Sequence, residues 1–537
     1  MKRSFMERAK EYAPIDLIFE ALQKHPFIFT ALLCVMLFPF GLAQASGITT
    51  DDVLIEAIFW IVLTAAFVFF GKPSRSMKVN IYLFLSSVAA AVLFSLLVNE
   101  DNSISSAMFV PVTFGIAQIL LVLHREKRLT ADRVVILLIV LGVVARYCYV
   151  LRYSSLEMQH DVGSFDGKAG HAAYITYWYD NGLTLPDFDV TTRWQFYHPP
   201  LHHMLMALLL RVFTTIGIPL EVAREAIQIL PMIWSALSMA ASYRIFKLLK
   251  LEGAGLVAAT SVVCFYPTFI IWGGAINNDM LAAFCVLLAM LWTLKWYNSP
   301  TFRNILPIAL SVGLGMMAKL SAWMVAPGIA LVFLWVFIKN IKNPLPFIVQ
   351  FLAFVVVCVP PALWWQMRNL IMFDVPITYV PALKWDRMSV ESIPAAQRLF
   401  DLSASQFTYP FLAFKSYGAP YNEYNPFIAL LKTSLFDEYH KPWDFGAMAT
   451  FFVVIAGILA AAGFAGLIWM TVKRKGTPDL PVKLLLLITL LTILVSYTIF
   501  CFNYPFVCTE NIRYCIPIIP ILAAGLGFGV NRISKKQ

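Results

Sequence analysis

The residues best placed for chemistry sit where apolar stretches begin or end. They are Asp161 in QHDVGSFDG, Asp279 in GGAINNDML, Lys319 in GMMAKLSAW, Arg368 in WWQMRNL and Arg513 in ENIRYCIP. Ionisable groups at membrane depth are costly and usually face a cavity or a partner. A carboxylate among several cations suits a base beside an anionic, phosphate-bearing ligand, because a guanidinium fork donates two hydrogen bonds to such an anion at once. Each residue has an ordinary reading too, the carboxylates as solvated helix caps and the cations as lipid-headgroup anchors. Their company on one membrane face favours the chemical reading.

The elements that must position them are membrane spans. With 60% hydrophobic and 13% charged residues and a mean hydropathy of +0.73, the chain is a polytopic membrane protein; soluble domains are about half apolar and about a quarter charged. The net charge of +10 reads as basic cytoplasmic loops. Without zinc-finger or RNA-binding spacing, nucleic acid is excluded as a partner. A helix of roughly 20 apolar residues crosses the hydrocarbon core. The sequence predicts about fourteen such spans, near 26–45, 53–70, 80–98, 106–124, 133–151, 225–243, 254–272, 280–297, 304–318, 320–338, 346–366, 447–471, 483–502 and 512–530. The first of them reads as a signal anchor.

The run 198–218 decides the topology, since it is long enough to cross yet carries His198, His202, His203 and Arg211. With a cytoplasmic N-terminus and no crossing here, clusters such as Lys72, Arg75 and Lys78, or Lys473, Arg474 and Lys475, all fall inside. A crossing would flip every later cluster outward, against the positive-inside rule. The run is therefore expected along the outer membrane surface, with Leu205, Leu208 and Leu209 toward lipid and Pro199–Pro200 in its first turn. This gives an all-α polytopic membrane protein with extracytoplasmic juxtamembrane helices. Its expected parts are a four-span module at 1–132, a core at 133–530 and a cytoplasmic tail at 531–537. External loops at 152–225 and 367–448 are far longer than ordinary connectors.

The first loop holds Asp161, Asp166, His171, Tyr197, His198 and His202. His198 and His202 could share a helical face near His171, but a metal needs three or four ligands together. These imidazoles are assigned hydrogen-bonding or phosphate-facing roles, and no metal ligand is assigned. A divalent cofactor is left open. Asp187–Asp189 (DFD) reads as a solvated turn, and Cys501, Cys508 and Cys515 offer one disulfide. In the second loop Tyr379, Trp385, Tyr409, Tyr417, Tyr421, Tyr424 and Trp443 read either as stacking surfaces for sugars or acceptors or as an apolar lid on the membrane.

FYHPPLHHMLMALLLR resembles the HPPL element of protein O-mannosyltransferases and the related KPP element of lipid A aminoarabinose transferases. NNDMLAA, GMMAKLSAW, MRNLIMFDVPI and NIRYCIPIIPIL resemble spaced landmarks of their bacterial relatives. The likeness is to the GT-C superfamily of multispanning glycosyltransferases, over roughly 133–530. It implies a sugar donor carried on polyprenyl or dolichyl phosphate. It also implies that Asp161 orients or deprotonates the acceptor hydroxyl, and that Arg368, Arg513 and Lys319 stabilise the leaving phosphate. Two departures are visible. Asp161 is followed by Val162 where O-mannosyltransferases have Asp-Glu, so that Asp166 is the candidate second carboxylate. Tyr197-His198 stands where the aminoarabinose enzymes have Glu-Lys.

The expectation is a membrane glycosyltransferase passing a sugar, a hexose such as mannose, to an extracytoplasmic protein, lipid or glycan. Asp161 is its catalytic residue. Asp166, His171, Tyr197, His198, His202, Asp279, Lys319, Arg368 and Arg513 are expected to bind substrate, with membrane lipids around them. Two alternatives stand beside it. A transporter or lipid flippase predicts broken helices and midplane charges. A glycan ligase or polymerase would use a lipid-linked oligosaccharide.

Overall fold

The computed structural model describes residues 14–45, 61–62, 64–65, 67–97, 104–383, 386–438, 446–473 and 477–534. Helices supply the regular structure among these residues, beside an isolated bridge between Ser389 and Phe506. Seven helices are long and apolar enough to cross a membrane: Ala131–Arg152, Leu220–Leu248, Asp279–Asn298, Leu320–Lys339, Leu345–Phe373, Gly446–Val472 and Leu480–Asn503. Two bent pairs, Ile15–Lys24 with Pro26–Pro39 and Val507–Tyr514 with Ile518–Ser534, raise the number to nine. The chain is an integral membrane protein with fewer full-length spans among the described residues than the fourteen expected. Several expected spans are short helices, such as Phe302–Ala318. Pro267 divides another into Gly253–Phe265 and Pro267–Ile271, because proline lacks an N–H and clashes with the preceding turn. Most of 53–70, with Trp385 and Trp443, lies outside the described residues.

The disputed run forms Leu201–Thr215. Its 15 residues cover about 22 Å, short of a hydrocarbon core of about 30 Å. Pro200 is its N-cap, so the prolines precede the first turn instead of occupying it. Leu208 is exposed, whereas Leu205 and Leu209 are half-buried against the core.

Polar contacts lock the bundle where apolar packing alone would leave its register loose. Thr130 caps Ala131–Arg152 by accepting from the Arg133 amide at 3.3 Å, and Asp132 complements the dipole in the first turn. Deeper in that span Arg146 is fully buried. It donates to Ser235 Oγ at 2.7 Å and to the Gly142, Cys264 and Val263 carbonyls at 2.8, 2.8 and 3.1 Å, tying three helices together. At the chain's start Asp16 accepts ion pairs from Arg128 and Arg133 at 2.8 and 2.6 Å. Gly446–Val472 and Ile518–Ser534 cross so closely that a Cβ on Gly466 would lie 2.1 Å from the Gly525 carbonyl oxygen. Small residues permit such helix contacts in lipid.

The connection after Leu345–Phe373 is fastened by two buried ion pairs, Arg398–Glu510 at 2.9 Å and Lys432–Glu423 at 2.5 Å. All eight cysteines are free thiols, including Cys501, Cys508 and Cys515, so the disulfide offered by their spacing is not formed.

Candidate functional site

The loop after Ala131–Arg152 is built to hold one carboxylate. Asp161 has φ +52°, a left-handed conformation uncommon outside glycine. Hydrogen bonds on both sides keep it there. The Asp161 and Val162 carbonyls accept from the His171 and Ala172 amides at 3.0 and 2.9 Å, satisfying the free N–H groups of helix His171–Asp180. Gln159 donates to the Gly274 carbonyl and accepts from the Ile276 amide, each at 3.0 Å. The loop closes only because residue 170 is glycine: its φ is +97°, and a Cβ there would lie 2.4 Å from the Val162 oxygen.

The carboxylate so placed meets Arg513, whose Nη1 lies 3.0 Å from Asp161 Oδ2. Arg513 sits in the short turn Ile512–Tyr514, where Asn511 accepts its amide at 2.8 Å. Burial raises the Asp161 carboxyl, but Arg513 and then His160 outweigh it and hold the group below the usual carboxylate value. Asp161 is therefore ionised at neutral pH.

Two cavities, of about 700 and about 330 Å³, share Asp161, Tyr197, Arg513 and Tyr514 as common wall. The larger is lined further by His160, Trp194, Tyr417 and Glu438, together with apolar Leu383 and Met388. The smaller contains His171, His198, Asp279 and Lys319, beside apolar Leu320 and Trp323. Lys319 is ion-paired with Asp279, the first residue of its span, and its ammonium lies 4.8 Å from the Tyr514 ring centre. The smaller cavity can hold an anion at Arg513 and Lys319 while Asp161, in the shared wall, faces a hydroxyl in the adjoining space.

The histidines contribute as neutral rings. His171 Nδ1 and His203 Nε2 are 2.8 Å apart, and His198 stacks on His171 at 5.9 Å. Burial, the neighbouring imidazoles and the Lys319 and Arg513 charges push His171 and His198 well below their ordinary value. At neutral pH they offer hydrogen bonds and stacking, not charge.

Of the residues expected to bind substrate, Tyr197, His171, His198, Asp279, Lys319 and Arg513 converge with Asp161; three others do not. Asp166 is exposed and pairs with Arg224 at 2.6 Å, outside the lining of both cavities. His202 faces the Ile276 carbonyl at 3.0 Å, outside both cavities. Arg368 donates to the Pro186 carbonyl and Asn369 and stacks on Trp365 and Phe373. Its neighbours Gln366 and Asn369 line the smaller cavity instead. Asp189 of the DFD turn caps residues 190–192 by accepting from the Thr191 amide at 2.8 Å. Among the second loop's aromatics, Tyr379 and Tyr417 reach the cavities, whereas Tyr424 bonds Asp401 and Tyr421 meets Lys432.

Reading the sequence alone missed His160, Asp437 and Glu438. The imidazole lies 2.8 Å from Asp437 Oδ2 and 3.5 Å from Glu438 Oε2. Burial lowers His160, but the two carboxylates outweigh it and bring it up to about 9. The signal was present: Asp437-Glu438 is an acidic pair shortly before a span, the same placement that drew attention to Asp279.

Comparison with known proteins agrees with the resemblance drawn from the sequence. Residues 197–365 match the family described as dolichyl-phosphate-mannose-protein mannosyltransferase. The match includes Tyr197, His198, Asp279 and Lys319; Asp161 and Arg513 lie outside it. No curated protein sequence matches the chain. Among solved structures it is similar to the archaeal oligosaccharyltransferase AglB from Archaeoglobus fulgidus, in complex with an inhibitory peptide and a dolichol-phosphate. Identity is 12% and the TM-score 0.43, covering 74% of this chain and 50% of that one. It is also similar to ArnT from Cupriavidus metallidurans in the apo state, with 15% identity, TM-score 0.34 and coverage of 74% and 77%. The chain spans about half the length of the oligosaccharyltransferase. Over residues 197–365 the chain thus resembles dolichyl-phosphate-mannose-protein mannosyltransferases.

Proposed function

We propose that this protein is a membrane glycosyltransferase. It moves a sugar, a hexose such as mannose, from a polyprenyl- or dolichyl-phosphate donor to a protein, lipid or glycan on the extracytoplasmic face. The observation that carries this reading is the Asp161–Arg513 pair in the wall between two cavities. The smaller cavity takes the sugar phosphate, with Arg513 and Lys319 meeting its charge and Leu320 and Trp323 meeting the start of its apolar tail. The larger, aromatic cavity takes the acceptor.

In this reading the acceptor hydroxyl attacks the anomeric carbon while Asp161 takes its proton, and the bond to the phosphate oxygen breaks. The leaving phosphate is already a good anion and needs charge stabilisation more than protonation. Arg513 has two tasks: it keeps Asp161 ionised before the donor arrives, and it offers its fork to the phosphate afterwards. As the guanidinium turns to the phosphate, Asp161 loses its main counter-charge and becomes a stronger base. A panel of polyprenyl-phosphate sugars offered to membranes containing the protein tests the reading. One sugar should move to an endogenous acceptor with release of polyprenyl phosphate; no transfer from any member refutes it.

A further inference from the structure

Beside Asp161 lies a group that the sugar-transfer chemistry above does not use. One ligand atom from each of His160, Asp437 and Glu438 lies within 4.8 Å of the others. The group is built, not incidental. Asn511 Nδ2 donates to Asp437 Oδ1 at 2.7 Å and to Glu438 Oε1 at 2.9 Å. One amide therefore occupies the outer oxygen of each carboxylate and leaves Oδ2 and Oε2 for the side facing the imidazole. The imidazole plane is fixed by stacking on Trp272, at 5.1 Å and 15°. Asp437 is 2% exposed, and its Oδ2 is aimed into the group, 2.8 Å from the imidazole. Ligating carboxylates and histidines held from behind by amides and rings are characteristic of metal centres.

We propose that His160, Asp437 and Glu438 bind a divalent cation of the Mn²⁺ or Zn²⁺ class. One imidazole nitrogen and two carboxylate oxygens suit these ions, with water or substrate oxygen completing the shell. His160 and Glu438 both line the larger cavity, so the site opens toward the space assigned to the acceptor. His160 also directly precedes Asp161 in the chain. A cation there supplies positive charge to an acceptor oxygen beside the base. The proposal stands on the geometry of the three ligands and does not depend on the identity of the sugar or the donor.

The test uses the full-length protein in mild detergent, stripped with a chelator and titrated separately with MnCl₂, ZnCl₂ and MgCl₂. Bound metal is read by elemental mass spectrometry after gel filtration, and the thermal midpoint is followed in parallel. We expect one Mn²⁺ or Zn²⁺ per chain and a raised midpoint. Asp437→Asn and Glu438→Gln should each weaken binding by at least about tenfold, and Asn511→Ala by roughly 10–100-fold through lost orientation of the carboxylates. Wild-type protein that takes up no ion overturns the proposal and leaves the triad as an imidazole bridging two carboxylates. Uptake equal in wild type, Asp437→Asn and Glu438→Gln also overturns it. Because the wild-type titration needs no variant and no turnover, its result is separate from success or failure of the transferase reading.

Discussion

Asp161 Oδ2 and Arg513 Nη1 lie 3.0 Å apart although 352 residues separate them in the chain. The first loop supplies the carboxylate, and the turn before the last helix supplies the guanidinium. Their meeting forms part of the wall between two cavities.

Asp161→Asn keeps the shape of the side chain but removes the charge and the proton acceptor. General-base contributions are typically about 10²–10⁴-fold, and transfer should fall by that range while membrane abundance stays near wild type. Retained turnover at normal abundance would sink the assignment of Asp161.

Arg513→Lys keeps a positive charge and loses the fork. We expect at least a roughly tenfold loss of transfer, because the guanidinium reaches Asp161 through Nη1 and the Tyr514 hydroxyl through Nη2, a fixed fork that an ammonium does not reproduce. A double-mutant cycle with Asp161→Asn should show strong coupling. Additive effects would mean that the two residues act independently.

Gly170→Ala tests the loop that presents Asp161. At φ +97°, with the Val162 oxygen 2.4 Å from the added Cβ, the substitution should cost on the order of 1–3 kcal/mol. Transfer should drop more steeply than the thermal midpoint, since the loop shifts with the carboxylate it carries. An alanine variant with wild-type midpoint and activity would contradict the closed-loop geometry.

The buried histidines predict acid sensitivity. Burial first lowers His202, to about 4, and His171, His198 and His203 are also lowered from 6.5. The folded state thus binds fewer protons than the unfolded one between pH 6.5 and about 4. Their stability contribution is complete above pH 6.5 and is lost as pH falls toward 4, by up to about 1.4 kcal/mol per pH unit for each group. Thermal midpoints measured from pH 7.5 to 5 should therefore decline. His202→Gln, which keeps a donor for the Ile276 carbonyl, should make the decline shallower; an unchanged slope would show that His202 does not titrate in this window.

Sidedness is checked by reporter fusions after Ile218 and after Lys250. The first should read outside and the second inside. An inside signal at Ile218 would overturn the reading of Leu201–Thr215 as a surface helix.

Hydropathy located the helices well, because a hydrocarbon core demands continuous apolar runs whatever the fold. Among the described residues fewer spans reach full length than the fourteen expected, because composition does not register breaks such as the one at Pro267. Asp161, Asp279, Lys319 and Arg513 were legible as charges at helix ends, where burial needs a partner. Asp166, His202 and Arg368 carried the same signal yet found their partners elsewhere, in Arg224, the Ile276 carbonyl and the Pro186 carbonyl. Pairing of that kind depends on tertiary direction, which spacing along the chain does not encode. The converse holds for Glu438: 277 residues beyond Asp161 by their numbering, it enters the site only when the second long connection folds back.

The central claim, a lipid-phosphate sugar held at Arg513 and Lys319, is tested most directly by mass spectrometry of lipids that co-purify in mild detergent. The account predicts a polyprenyl-phosphate sugar enriched with wild-type protein and depleted with Arg513→Ala. Equal recovery with both proteins, or enrichment only of phospholipids that carry no sugar, would contradict it.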